Sequence, residues 1–145
     1  MIPELFGHKT VALFDLWSGI HFLTGCGLAY PVFFLALRFS LDLRAQYLLV
    51  LLLSASWELV ELHMELGLLG GEAIRKWFQG VEHPLNRLIS DQLLLLAGFW
   101  VARSRLTLSV GSKVLAWGWL LIHVFALPHS MWVQDTWLGS SLALH

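Results

Sequence analysis

The chain has 145 residues, room for one domain, and 57% of them are hydrophobic against 13% charged. A mean hydropathy of +0.69 excludes an ordinary soluble domain and predicts an integral membrane protein. The net charge of −1, with no basic or acidic tail, argues against nucleic acid as a partner, and the single cysteine, Cys26, excludes an intrachain disulfide.

Residues 1–10 do not read as a removable signal, because Glu4 and Lys9 precede an apolar run too long for a signal core. Four apolar runs approach the roughly 20 residues that span a hydrocarbon layer about 30 Å thick. The first, 11–37, is interrupted by Asp15 and His21, carries Pro31 as a candidate kink and is closed by Arg38. The second, 46–66, begins as a pure apolar run and turns acidic at Glu58, Glu61 and Glu65. Residues 67–84 form the longest connection, in which Ile74, Trp77 and Phe78 share one helical side while Glu72, Arg75, Lys76 and Gln79 take the other. That pattern predicts a short helix lying in the membrane interface or folded over the bundle end. The third run, 85–102, is entered through Asn86, Arg87, Ser90, Asp91 and Gln92, and the fourth, 110–127, contains His123 and stops before Pro128. Trp132 and Trp137 in the tail favour the headgroup level. The expected fold is an all-α membrane bundle of about four helices, forming a single domain over 1–145.

Orientation follows from the positive-inside rule. Arg38, Arg44, Arg103, Arg105 and Lys113 fall in short connections on one side, against Lys9, Arg75, Lys76 and Arg87 on the other. This places both termini and the long connection outside the cytoplasm.

Ionisable groups inside a membrane are costly and mark candidate sites. At about 100° per residue, Ser54, Glu58, Glu61 and Glu65 occupy a sector of roughly 60°. Three carboxylates on one dry face cannot all stay ionised. A metal or other cation neutralises them, or a proton is shared, or the stripe opens to water; the plainer reading ends the membrane segment near Glu58. In a four-span bundle Glu58, Glu61, Asn86 and Asp91 share the outer half, His21 lies near the middle, and His123 lies about five residues from an outer end. Glu58, Glu61 and Asp91 are therefore candidate catalytic groups, and with His21 a candidate ligand set for a divalent metal; His21 and His123 are candidate cofactor ligands. Each has a simpler role available. Asp91 can pair with Arg87 one turn earlier, Asn86 and Ser90 can hydrogen-bond between helices, and a lone histidine can satisfy a carbonyl. His63 points about 140° from Glu58 and is left out of the site. Gly25 and Ala29 form a small-xxx-small pair that favours close helix approach.

The order His21, Gly25, Tyr30, then Trp57-Glu58-x-x-Glu61, then Asn86 with Ser90-Asp91, and finally Gly98-Phe99 resembles a group of small bacterial inner-membrane proteins distantly similar to VanZ. The resemblance covers roughly residues 20–100. Two positions depart from it: Leu62 stands where an Asn often follows the second Glu, and Glu82-His83-Pro84 replaces an acidic turn with Asp. The resemblance implies a multi-pass protein of the bacterial inner membrane and a helical bundle, and brings no reaction with it.

Two functional classes follow. One is an embedded carboxylate and histidine site that binds metal or relays protons and acts on a lipid-type substrate. The other is a non-catalytic subunit of a larger membrane complex, with histidine and tryptophan against pigment, haem or quinone. The sequence contains no G-x-S-x-G, phosphate loop, paired cysteine or H-E-x-x-H, so no familiar enzyme class is indicated.

Overall fold

The computed structural model describes residues 3–125. Two short strands, β1 (Glu4–Phe6) and β2 (Ala12–Phe14), precede α1 (Ser18–Phe39), α2 (Leu43–Glu65), α3 (Gly71–Phe78), α4 (Asp91–Ala102) and α5 (Leu106–Phe125). A π-helical turn, Asn86–Ser90, leads directly into α4. Among the described residues the regular structure is thus helical apart from one small ribbon, in which β1 and β2 pair in parallel with Glu4 opposite Ala12.

The first helix starts at Ser18 rather than at residue 11, and the reason is local. Asp15 Oδ1 accepts the Trp17 and Ser18 N–H groups at 2.7 and 3.0 Å, while Ser18 Oγ accepts the Asp15 N–H at 2.9 Å. This reciprocal exchange works as a capping box does and fixes the helix start. Asp15 therefore precedes the helix instead of interrupting it. Likewise α2 begins three residues before the expected 46, because Asp42 caps it by accepting the Ala45 N–H at 2.7 Å. The fifth helix also starts early, at Leu106. The expectations for 126–145, including the end of the fourth apolar run and Trp132 and Trp137, lie outside the described residues.

Three of these helices, α1, α2 and α5, are long and apolar enough to cross a membrane. Within α4 there are twelve residues, extended at its start by the five of the π-helical turn.

Glycines set the closest packing. A Cβ on Gly25 would strike the Leu95 carbonyl, and one on Gly98 would strike the Phe22 carbonyl, so α1 and α4 touch backbone to backbone. Residue numbers rise together along this contact, with His21 beside Asp91 and Gly25 beside Leu95; α1 and α4 therefore run in the same direction. Below it lies the apolar core of Cys26, Ala29, Val32, Val50, Leu95, Phe99 and Ala102.

Pro31 lies inside α1 and leaves the Gly27 carbonyl, four residues back, without its helical donor. Ser109 of α5 supplies one: its hydroxyl donates to the Gly27 carbonyl at 3.0 Å and accepts the Tyr30 N–H at 3.0 Å. The proline thereby becomes a docking point for α5.

Helix α3 is entered through Gly70, whose φ of +79° suits glycine. It turns Ile74, Trp77 and Phe78 toward the bundle, while Glu72 and Arg75 pair on its exposed side at 3.1 Å. The expected amphipathic helix is present.

Candidate functional site

On α2 the buried residues are Val50, Ser54, Glu58, Glu61 and Glu65. The acidic stripe expected from the 3.6-residue period thus faces inward along its whole length. Opposite it, the π-helical turn adds one residue to a helical circuit. That register buries Asn86, Arg87, Ser90 and Asp91 together.

His21, Glu58 and Asp91 meet at the centre. One ring nitrogen, Nδ1, stands 3.5 Å from Glu58 Oε1, and the other, Nε2, stands 3.7 Å from Asp91 Oδ2. All three side chains are buried, and one ligand atom from each lies within 4.8 Å of the others. Glu58 Oε1, both Asp91 carboxylate oxygens and both polar side-chain atoms of the adjacent Asn86 have no hydrogen-bond partner. The carboxylate oxygens and Asn86 Oδ1, buried acceptors in that state, carry a desolvation cost that a bound cation or proton removes.

A second layer lies toward the ends of the helices. Arg87 donates through Nε to Glu58 Oε2 at 3.4 Å and through Nη2 to Glu65 Oε2 at 2.7 Å, and Nη2 is 3.3 Å from Glu82. Arg87 therefore serves α2 and the Glu82 loop, and the simpler alternative for Asp91, a pair with Arg87, is not among its ion pairs. Lys9, 1% exposed, donates to Glu65 Oε1 at 2.6 Å and lies over the Phe78 ring. Glu82 N–H donates to Glu65 Oε2 at 3.1 Å, and His83 N–H to the Lys9 carbonyl at 2.9 Å. The N-terminal segment, the end of α2 and the loop before the π-helical turn are thus tied through Glu65.

Among the described residues, the buried carboxyls are Asp15, Glu58, Glu61, Glu65, Glu82 and Asp91, against Lys9 and Arg87 as buried permanent cations. The imbalance shows in groups outside the spanning helices. Burial pushes the Glu82 carboxyl up to about 9, with the charges of Glu61 and Asp15 adding to the effect and Arg87 opposing it. Burial also raises Asp15 above the usual aspartate range, against the pull of its two backbone donors.

A cavity of about 770 Å³ lies beside this cluster. Its walls are mostly apolar and aromatic, including Trp17, Trp57, Trp77 and Trp117, and its polar lining includes His21, Thr24, Ser54 and Glu61. Glu61 thus borders the cavity one turn beyond Glu58. His123 lies outside the three-residue group. Its Nδ1 is 3.0 Å from the Trp119 carbonyl, and its ring packs against Trp17 and Trp119 with centroids at 4.9 and 4.7 Å. Trp77 donates to the His123 carbonyl at 3.3 Å. His63 points outward, as expected, with Nδ1 2.6 Å from the Leu59 carbonyl.

Sequence reasoning missed Lys9, Glu82 and the true role of Arg87. The one available signal was arithmetic: several acids buried together require cations, and few lysines and arginines lie near that end of the bundle. No family model, curated protein or solved structure matches the chain.

Proposed function

We propose that this protein is a multi-pass membrane protein that holds a divalent cation between His21, Glu58 and Asp91 and acts on a lipid-type ligand in the adjoining cavity. One observation carries the reading. Three side chains suited to zinc, iron or manganese converge within 4.8 Å, and Glu58 Oε1 and both Asp91 carboxylate oxygens have no hydrogen-bond partner. Protein donors around a four-coordinate zinc lie about 2.0–2.2 Å from the ion, so small side-chain movements close the site. Bound there, the ion would supply Lewis-acid chemistry. Around it Arg87 holds Glu58 in place from the far side, and Glu61, at the cavity wall, is placed to accept a proton from a bound molecule.

A second reading is proton relay, favoured by the way the two imidazole nitrogens face different carboxylates. A histidine so placed takes a proton at one nitrogen and releases one at the other. The readings separate by experiment: metal mass spectrometry on protein purified in mild detergent, for wild type, Glu58→Gln and Asp91→Asn. Stoichiometric metal lost in both variants supports the cation site. Metal-free wild type that still shows a proton-transfer phenotype, removed by His21→Ala, overturns it in favour of relay.

The membrane arrangement belongs to the same proposal. The π-helical turn and α4 together reach about 25 Å at 1.5 Å per residue, close to a bilayer core, which supports α4 as a fourth crossing and α3 as an interfacial cover. With Arg38, Arg44, Arg103, Arg105 and Lys113 inside, both termini lie outside the cytoplasm, and the resemblance to VanZ-like proteins points to the bacterial inner membrane.

A further inference from the structure

The cavity beside the cluster has one polar atom that the fold does not account for. Ser54, 3% exposed, lines it, and its Oγ has no hydrogen-bond partner. A serine hydroxyl in α2 has the carbonyl four residues back within reach, as Ser56 shows by donating to the Leu52 carbonyl at 2.7 Å. Ser54 instead stays unpaired in an apolar space, at a cost that a ligand group removes.

The lining also selects the charge of that group. Glu61 stands in the wall on the same face of α2 as Ser54, whereas among the described residues no lysine or arginine lines the space. Both buried cations of this end of the bundle, Lys9 and Arg87, are engaged with Glu58, Glu65 and Glu82. The one histidine in the wall, His21, already faces Glu58 and Asp91, so an anionic head would meet an excess of carboxyl groups. A cation would meet the Glu61 carboxylate among several indoles, the side chains that bind cations best. A volume of about 770 Å³ falls in the range that encloses a drug-sized molecule, enough for a head and one alkyl chain. Leu53, Trp57 and Trp117 line the space and are also exposed, at 45%, 54% and 64%, so the cavity opens sideways, where a chain in the bilayer can enter.

We propose that this cavity binds a single-chain amphiphile with a protonated amine head, the head on Glu61 and Ser54 and the chain along the tryptophan-lined wall toward lipid. The inference names the ligand class for the lipid-type reading above and rests on that reading, but not on the metal. The test uses the full chain in nanodiscs of an uncharged galactolipid, treated with chelator. Three probes, each with a dibrominated dodecyl chain, carry an amine, a hydroxyl or a sulfate head, and tryptophan quenching reports binding. The amine is expected to quench saturably and to bind about tenfold more tightly than the alcohol, with the sulfate weakest. Glu61→Gln removes the preference for amine over alcohol, Ser54→Ala weakens both, and Ala116→Trp, which fills the cavity wall, abolishes saturable quenching.

Equal affinity for amine and alcohol, tighter binding of the sulfate, or saturable quenching that survives Ala116→Trp overturns the proposal. So does an amine preference that survives Glu61→Gln. Metal analysis of the same preparations before chelation keeps the two readings apart. Wild type without metal but with the amine preference overturns the cation site alone, and metal-loaded wild type with no preference overturns the amine site alone.

Discussion

Arg87 is the counter-cation through which the acidic face of α2 is made tolerable, and its removal has a calculable consequence. It is 6% exposed and reaches Glu58, Glu65 and Glu82 at 3.4, 2.7 and 3.3 Å. Opposite charges with centres about 4 Å apart attract by about 4 kcal/mol at an effective dielectric constant of 20. The pairs with Glu58 and Glu65 give a gross attraction that the desolvation of the guanidinium largely offsets, and Glu82 keeps its proton up to about pH 9, so the net worth of the network is small. Breaking it is another matter, because Glu58 and Glu65 then stay buried with less compensation. Arg87→Gln is expected to cost about 3–5 kcal/mol of stability, the loss typical when one partner of a buried ion pair is removed. Arg87→Lys is expected to fall between, since one ammonium cannot offer separate nitrogens to Glu58 and Glu65. Adding Glu58→Gln to Arg87→Gln is expected to recover part of the loss by removing one uncompensated anion. Reversible unfolding in mixed micelles, followed by circular dichroism, measures all four proteins. A loss below about 1 kcal/mol for Arg87→Gln, the value of an exposed pair, would refute the reasoning.

Two further outcomes follow from single hydrogen bonds and protons. Ser109→Ala is expected to cost about 1–3 kcal/mol, because the Gly27 carbonyl loses its donor. In a Pro31→Ala background, which restores a helical N–H to that carbonyl, the same change is expected to cost clearly less; equal costs in the same unfolding assay would show that Ser109 does not stand in for the missing donor. Glu82, at about 9 in the folded chain against 4.5 for the free side chain, holds a proton after folding that the unfolded chain has released. Native protein therefore binds more protons than unfolded protein between those values, and stability falls as pH rises through the window, by at most about 1.4 kcal/mol per pH unit. In chelator-treated protein the unfolding midpoint is expected to decline from pH 5 to 9, and Glu82→Gln to flatten the decline; a slope unchanged by the substitution would assign the proton to another group.

Helices and the inward face of α2 were legible in the sequence because both are properties of a single element. Apolar runs approaching the thickness of a bilayer point to helices, and a period of 3.6 puts Ser54, Glu58, Glu61 and Glu65 on one side whatever surrounds them. Asp91 and His21 were also legible as candidates, since ionisable groups in apolar runs carry their own cost. The start of α1 was less so, because Asp15 reads equally as an interruption or as a cap until the Ser18 exchange is seen.

What surrounds the stripe was decided by the tertiary structure alone. Lys9 meets Glu65 across 56 residues of chain, and no local pattern encodes a partner at that distance. Arg87 lies in the π-helical turn and reaches Glu58 and Glu65 of α2, a choice of partner that composition does not carry. His21 faces Asp91 only because Gly25 and Gly98 let two backbones touch, and His123 falls among tryptophans because α5 runs past α1 from Ser109 to Trp17. The sequence by itself determined which side chains must be sheltered from lipid, since that follows from transfer energy residue by residue. Which of them share a proton, a cation or a cavity depends on helix contacts between distant segments, and only the assembled bundle decides those.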